Sequence, residues 1–182
     1  VNHGVFPERI HKKNTHASPT PASNGTHVCA VFNNHDSVQV AALPLDGAIV
    51  WKRPAGAYAP TKYRFGYAPS PLLYGDTVII AAETENDAYL VALDQATGKQ
   101  VWRTPRLKTT SYSSPIVGRV AGREQLFMTG GDQIVSYDPR TGRQLWSTQA
   151  IAPATCGTVV WEGDMVFAAG GYPKKQTAGI RA

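Results

Sequence analysis

The chain has 182 residues, 17% of them charged and 42% hydrophobic, with a formal net charge of +5. That length supports one domain with a real core, and no stretch approaches the roughly 20 consecutive apolar residues of a membrane-spanning helix. The basic residues are scattered, with small groups at His11-Lys12-Lys13 and Lys174-Lys175, and form no stripe of the kind that tracks a nucleic-acid backbone.

Seventeen glycines and 13 prolines imply many turns, and no run carries apolar residues at helical spacing beyond one turn. The expected class is all-β. Residues 1–15 hold no complete strand set and read as the tail of a preceding unit or a connection.

A first unit is expected over residues 16–53. It opens on Ser18-Pro19-Thr20-Pro21, turns at Asn24-Gly25-Thr26, continues as a strand over 28–32 and returns through Ala42-Leu43. Asp46-Gly47 resembles a short Asp-Gly hairpin turn into a last strand carrying Trp51.

A second unit, over 67–104, repeats the plan. Ser70-Pro71-Leu72-Leu73 is its first strand, Tyr74-Gly75-Asp76 its turn, and 77–82 and 88–93 its next two strands. The acidic loop Glu83-Thr84-Glu85-Asn86-Asp87 between them reads as a solvated hairpin loop. A turn from Asp94 to Gly98 leads into Trp102. Asp94 suits an Asx-type turn because its carboxylate can accept from N–H groups just ahead, and Gly98 stands where a hairpin loop needs positive φ.

The third unit, over 111–148, opens on Ser114-Pro115-Ile116-Val117 and repeats the turn with Asp138, Gly142 and Trp146. A fourth, over 154–182, begins with strands at 156–160, 165–169 and 177–182 and stops before an Asp/Gly turn. Trp51, Trp102 and Trp146 stand 51 and 44 residues apart, and the Ser-Pro pairs keep nearly the same steps. Four-stranded meanders at this period predict a β-propeller of about three and a half blades, with each Trp wedged between neighbouring blades. Uncovered flanks suggest either part of a longer chain or a ring completed by another copy.

The segment Ala92-x-Asp94-x-x-Thr97-Gly98-Lys99-Gln100-x-Trp102 resembles the tryptophan-docking motif of the pyrroloquinoline-quinone (PQQ) type repeat. The copy at 136–146 departs from it by Ser for Ala and Arg for Lys, and the copy at 42–51 keeps Ala42, Gly47 and Trp51 and is one residue short. The resemblance covers about residues 16–182. It implies a propeller and a periplasmic or cell-surface location. One branch of that superfamily comprises quinoprotein dehydrogenases with PQQ and calcium, and the other comprises non-catalytic scaffolds such as BamB.

The dehydrogenase branch resembles itself in a disulfide between adjacent cysteines and a calcium site of Glu, Asn and Asp. Cys29 and Cys156 are not adjacent. Their apolar or small neighbours read as buried free thiols, with a disulfide between them left open. No cofactor is expected from these residues, and PQQ with calcium stays as the alternative. Segments leading into each first strand reach a propeller face, so His16, Tyr67 and Tyr112 are the candidate ligand contacts. The leading functional expectation is a protein-interaction scaffold. An oxidoreductase with its site on other blades, or a propeller binding a carbohydrate or other small ligand, are the competing readings.

Overall fold

The computed structural model describes residues 11–16 and 18–182. The tail expected over residues 1–15 therefore falls mostly outside the described residues. Fifteen strands are described: β1 (Ala22–Ser23), β2 (His27–Asn34), β3 (Ser37–Pro44), β4 (Trp51–Ala57), β5 (Leu72–Tyr74), β6 (Thr77–Glu83), β7 (Ala88–Asp94), β8 (Gln100–Pro105), β9 (Ile116–Val120), β10 (Arg123–Gly130), β11 (Gln133–Tyr137), β12 (Gln144–Gln149), β13 (Val160–Glu162), β14 (Met165–Gly170) and β15 (Gln176–Arg181). They form three four-stranded sheets and one three-stranded sheet, each an antiparallel meander in chain order. Among the described residues there is no helix.

The burial of β6 shows how the blades stack. Its residues Val78, Ile79, Ile80, Ala81 and Ala82 are all inaccessible to solvent. Side chains alternate across a strand, so a continuous apolar run requires cover on both faces. Val78, Ile80 and Ala82 join Val38, Val40 and Trp51 of the first blade. Ile79 and Ala81 join Leu126, Met128 and Val135 of the third. A further cluster ties Phe127 and Ile134 to Val159 and Val166 of the fourth. Each fully buried Ile or Leu contributes roughly 1.5–3 kcal/mol, so these interfaces hold the blades together.

The repeated turn forms as its sequence implies. Asp94 accepts from the Thr97 N–H at 2.8 Å and the Thr97 hydroxyl at 2.6 Å. Gly98 sits at φ 68° and donates its N–H to the Asp94 carbonyl at 2.8 Å. In the third blade Gly142 sits at φ 70° and donates to the Asp138 carbonyl, while the Asp138 carboxylate takes the Arg140 N–H at 2.8 Å. Register shifts at Ala92/Leu93 and Ser136/Tyr137 absorb the extra residue of each loop.

Two local expectations are corrected. Asp46-Gly47 is not a tight hairpin, because residues 45–50 separate β3 from β4. Pro44 has no N–H to continue the ladder, and the Asp46 carboxylate accepts from the Ala48 N–H at 3.0 Å, which holds the chain in a wider turn. The Ser-Pro pairs lie ahead of the first strands rather than inside them. Their hydroxyls link blades instead: Ser70 Oγ accepts the Thr20 N–H and Ser114 Oγ accepts the Ser70 N–H, both at 2.9 Å.

Candidate functional site

The blade-to-blade connections 58–71, 106–115 and 150–159 run over the face where β4, β8 and β12 end. Aromatic residues and hydroxyls fix them to one another. Tyr58 donates to the Gly66 carbonyl at 2.7 Å and packs edge-on against Tyr67. Tyr112 donates its hydroxyl to the Tyr63 carbonyl at 3.1 Å, and its N–H goes to the Thr155 carbonyl at 2.9 Å. Beneath lies a buried hydroxyl cluster in which Ser113 donates to the Thr129 carbonyl at 2.7 Å and the Thr129 and Thr155 hydroxyls meet at 2.8 Å. Burial, and then the Glu85 charge, raise the pKa of Tyr112, so it is a neutral hydrogen-bond donor at physiological pH.

With His11, Lys13, Asn14 and Tyr172, these connections border an open cavity of about 620 Å³. Phe65 and Tyr112 stand edge to face at 5.8 Å, and the His11 ring lies 4.2 Å from Phe65. Tyr63 and Tyr172 make a second edge-to-face pair at 6.0 Å. Tyr172 is brought there by a bridge between Ala154 and the β14–β15 hairpin. Lys13, Lys62 and Arg64, all exposed, line the same cavity, as does Cys156. A second cavity, of about 520 Å³, shares Lys62, Tyr63, Ala154 and Tyr172 and adds Glu85 and Lys108. The Tyr63–Tyr172 pair is thus a wall common to both.

The acidic loop is not a uniformly solvated turn. Glu83 ends β6 and is only 2% exposed. It pairs with the equally buried Arg106, which also donates to the Tyr137 hydroxyl of the third blade at 2.5 Å. Burial raises the Glu83 carboxyl, with Arg106 and the Ser111 hydroxyl pulling the other way. At Glu85 partial burial is outweighed by hydrogen bonds from the Thr110 hydroxyl and from the Thr61 and Lys62 N–H groups, so its carboxyl stays below the usual range. Asp87 pairs with Arg103 at 3.2 Å, and Asn86 donates to the Ala59 carbonyl at 2.9 Å.

Each of these four side chains therefore has its own partner, and they do not converge as calcium ligands would. Among the described residues no group of three or more His, Cys, Asp or Glu side chains could hold a metal ion. Cys29 and Cys156 are both free, so the disulfide left open in the sequence does not form. Cys29 is buried as expected, but Cys156 is exposed because it lies in the connection ahead of β13 rather than in a strand. The residues described do not fit a quinone–calcium centre.

Of the three ligand candidates, Tyr112 lines the larger cavity. Tyr67 does not. It is 3% exposed and donates to the Ala81 carbonyl at 2.7 Å, inside the interface between the first two blades. His16 is exposed and is not among the described residues lining either cavity. Sequence reasoning missed Phe65, Tyr63 and Tyr172. All three sit in irregular segments, where no period marks a side chain as inward or outward. The available signal was the aromatic density of Tyr58, Tyr63, Phe65 and Tyr67 in one proline-flanked connection.

The blade stack and the repeated Trp joint define a β-propeller built from PQQ-type repeats. A family model described as outer membrane protein assembly factor BamB matches residues 9–174, and the chain belongs to that family. Its fold is similar to BamB from Moraxella catarrhalis, at 21% identity and TM-score 0.64, over 87% of this chain and 47% of that one. It is also similar to the quinohemoprotein alcohol dehydrogenase ADHIIG from Pseudomonas putida, at 14% identity and TM-score 0.54, over 89% of this chain and 31% of the enzyme. The computationally designed Ika4 protein matches at 11% identity and TM-score 0.56, over 97% of this chain and 99% of the design. The chain thus spans about half the length of the Moraxella BamB. Among curated proteins no sequence matches it.

Proposed function

We propose that this chain forms part of a non-catalytic propeller that holds protein partners in the bacterial cell envelope. Membership of the BamB family, whose model covers residues 9–174, carries this reading. The residues that recur from blade to blade agree with it. Asp94, Gly98, Trp102 and their counterparts are committed to turn geometry and packing, and none of them faces either cavity.

The test is in-cell crosslinking of the protein, followed by fractionation and mass spectrometry. The expected result is recovery in the envelope fraction with a reproducible protein partner in near-stoichiometric amount. Recovery in the cytosol, or saturable binding of PQQ with calcium and a change in the quinone spectrum, would replace the scaffold by another reading.

A further inference from the structure

The two cavities on the connection face carry a consistent charge pattern. Among the described residues lining them, the cations are Lys13, Lys62, Arg64 and Lys108, and the one carboxylate is Glu85. Glu85 is already engaged by the Thr110 hydroxyl at 2.5 Å and the Thr61 N–H at 3.2 Å. An occupant therefore meets positive charge at the rim and aromatic carbon inside. Such a site selects an anionic ligand with an apolar group to bury.

We propose that these adjoining cavities are the docking site for an extended acidic peptide segment of a protein partner, with one large apolar side chain seated against Phe65 and Tyr112 and flanking carboxylates against Lys62, Arg64 and Lys108. The proposal rests on the scaffold reading and names the chemistry of its partner. Two adjoining cavities that share the Tyr63–Tyr172 pair suit a chain that sends successive side chains to different places better than one compact molecule. The rings also argue against single-stranded nucleic acid. They meet edge to face, at 83° and 81°, and so offer no run of parallel faces on which bases stack.

The probe is a fluorescent acidic peptide with a central phenylalanine, titrated into the protein by anisotropy. Its alanine-centred and lysine-flanked counterparts, free phenylacetate and an oligothymidylate serve as comparisons. Saturable binding of the acidic phenylalanine peptide alone is expected, weakening as salt rises. Exposed Cys156 lines the larger cavity while Cys29 is buried, so the peptide should also slow alkylation of Cys156, the accessible thiol among the described residues. K62E combined with K108E should weaken binding about tenfold, the loss expected for two rim ion pairs. K99E combined with R143E, exposed in the turns at the other end of the strands, should leave it unchanged.

Equal binding of the lysine-flanked peptide, preference for phenylacetate or oligothymidylate, or unslowed alkylation at saturating peptide would each overturn the docking site. A crosslinked envelope partner captured equally well by K62E/K108E would also overturn it, while leaving the scaffold reading intact.

Discussion

Trp51 of the first blade lies against the backbone of Gly98 in the second. A methyl group built on Gly98 would fall 2.7 Å from the Cδ2 and Cε3 atoms of the Trp51 ring. The indole N–H donates to the Gln95 carbonyl of the same turn at 2.8 Å. Trp102 makes the next joint, against Gly142, where the Thr104 hydroxyl also donates to the Gly142 carbonyl at 2.7 Å. Trp146 has no such glycine turn among the described residues. It is half-buried beside Phe127 and donates its N–H to Gln125 of its own blade at 2.9 Å.

Gly98→Ala meets both a positive φ and an indole ring. The expected loss is about 1–3 kcal/mol in urea unfolding. Gly25→Ala is the control, since Gly25 has φ 89° but nothing within 4 Å of an added Cβ. It reads backbone strain alone and should cost less. Equal losses at the two positions would show that Trp51 yields freely.

The two docked indoles differ in one hydrogen bond. Trp51 Nε1 has its carbonyl, whereas Trp102 Nε1 is buried with no partner among the described residues. Leaving a buried donor unsatisfied costs about 1–3 kcal/mol. Trp51→Phe should therefore destabilise more than Trp102→Phe, although both indoles are nearly equally buried, at 7% and 8% exposure. Melting curves of the two variants side by side test the ranking.

Glu83 and Arg106 form an ion pair out of solvent at the junction of the second and third blades. Arg106→Ala leaves a buried carboxylate without its counter-charge and should cost about 3–5 kcal/mol. Arg106→Met with Glu83→Gln removes both charges and should recover part of that loss. A double variant no more stable than the single one would mean that the two charges are not coupled.

The Asp94 carboxyl is held below its ordinary value of 3.8, first by the Thr97 hydroxyl and then by the Thr97 N–H. A depressed folded value means that the carboxylate's stabilisation is complete above the unfolded value and is lost as pH falls through the folded one. Asp94→Asn keeps a neutral acceptor and removes the charge. Its melting temperature should lie below that of the parent protein at neutral pH, with the gap closing as pH falls below the ordinary value of 3.8. A constant gap across that range would assign the effect to geometry rather than charge.

The sequence carried the architecture because each joint is written locally. Asp94, Gly98 and Trp102 fall within one short segment, and their spacing alone implies turn, positive φ and outer-strand aromatic. The docking site was less legible for the opposite reason. Tyr112 could be placed by its position just ahead of a first strand, but Phe65 and Tyr172 reach the same cavity from connections more than a blade apart. Glu83 was misplaced because its partner, Arg106, lies beyond the next two strands, so nothing near it marks burial. Tyr67 and Tyr112 occupy corresponding places ahead of their strands and yet diverge. The Tyr67 hydroxyl turns into the interface to reach the Ala81 carbonyl, and the Tyr112 hydroxyl turns along the face to reach that of Tyr63.

The two joints made by last-strand tryptophans, Trp51 on Gly98 and Trp102 on Gly142, point the same way along the chain. The last strand of one blade supplies the indole, and the turn of the following blade supplies the glycine that receives it. One copied unit therefore carries a plug at its end and a socket near it. A tandem duplication of such a segment inserts with both halves of the joint already matched, to the blade before and the blade after. Such a ring can change its number of blades by copying, with no new interface to invent.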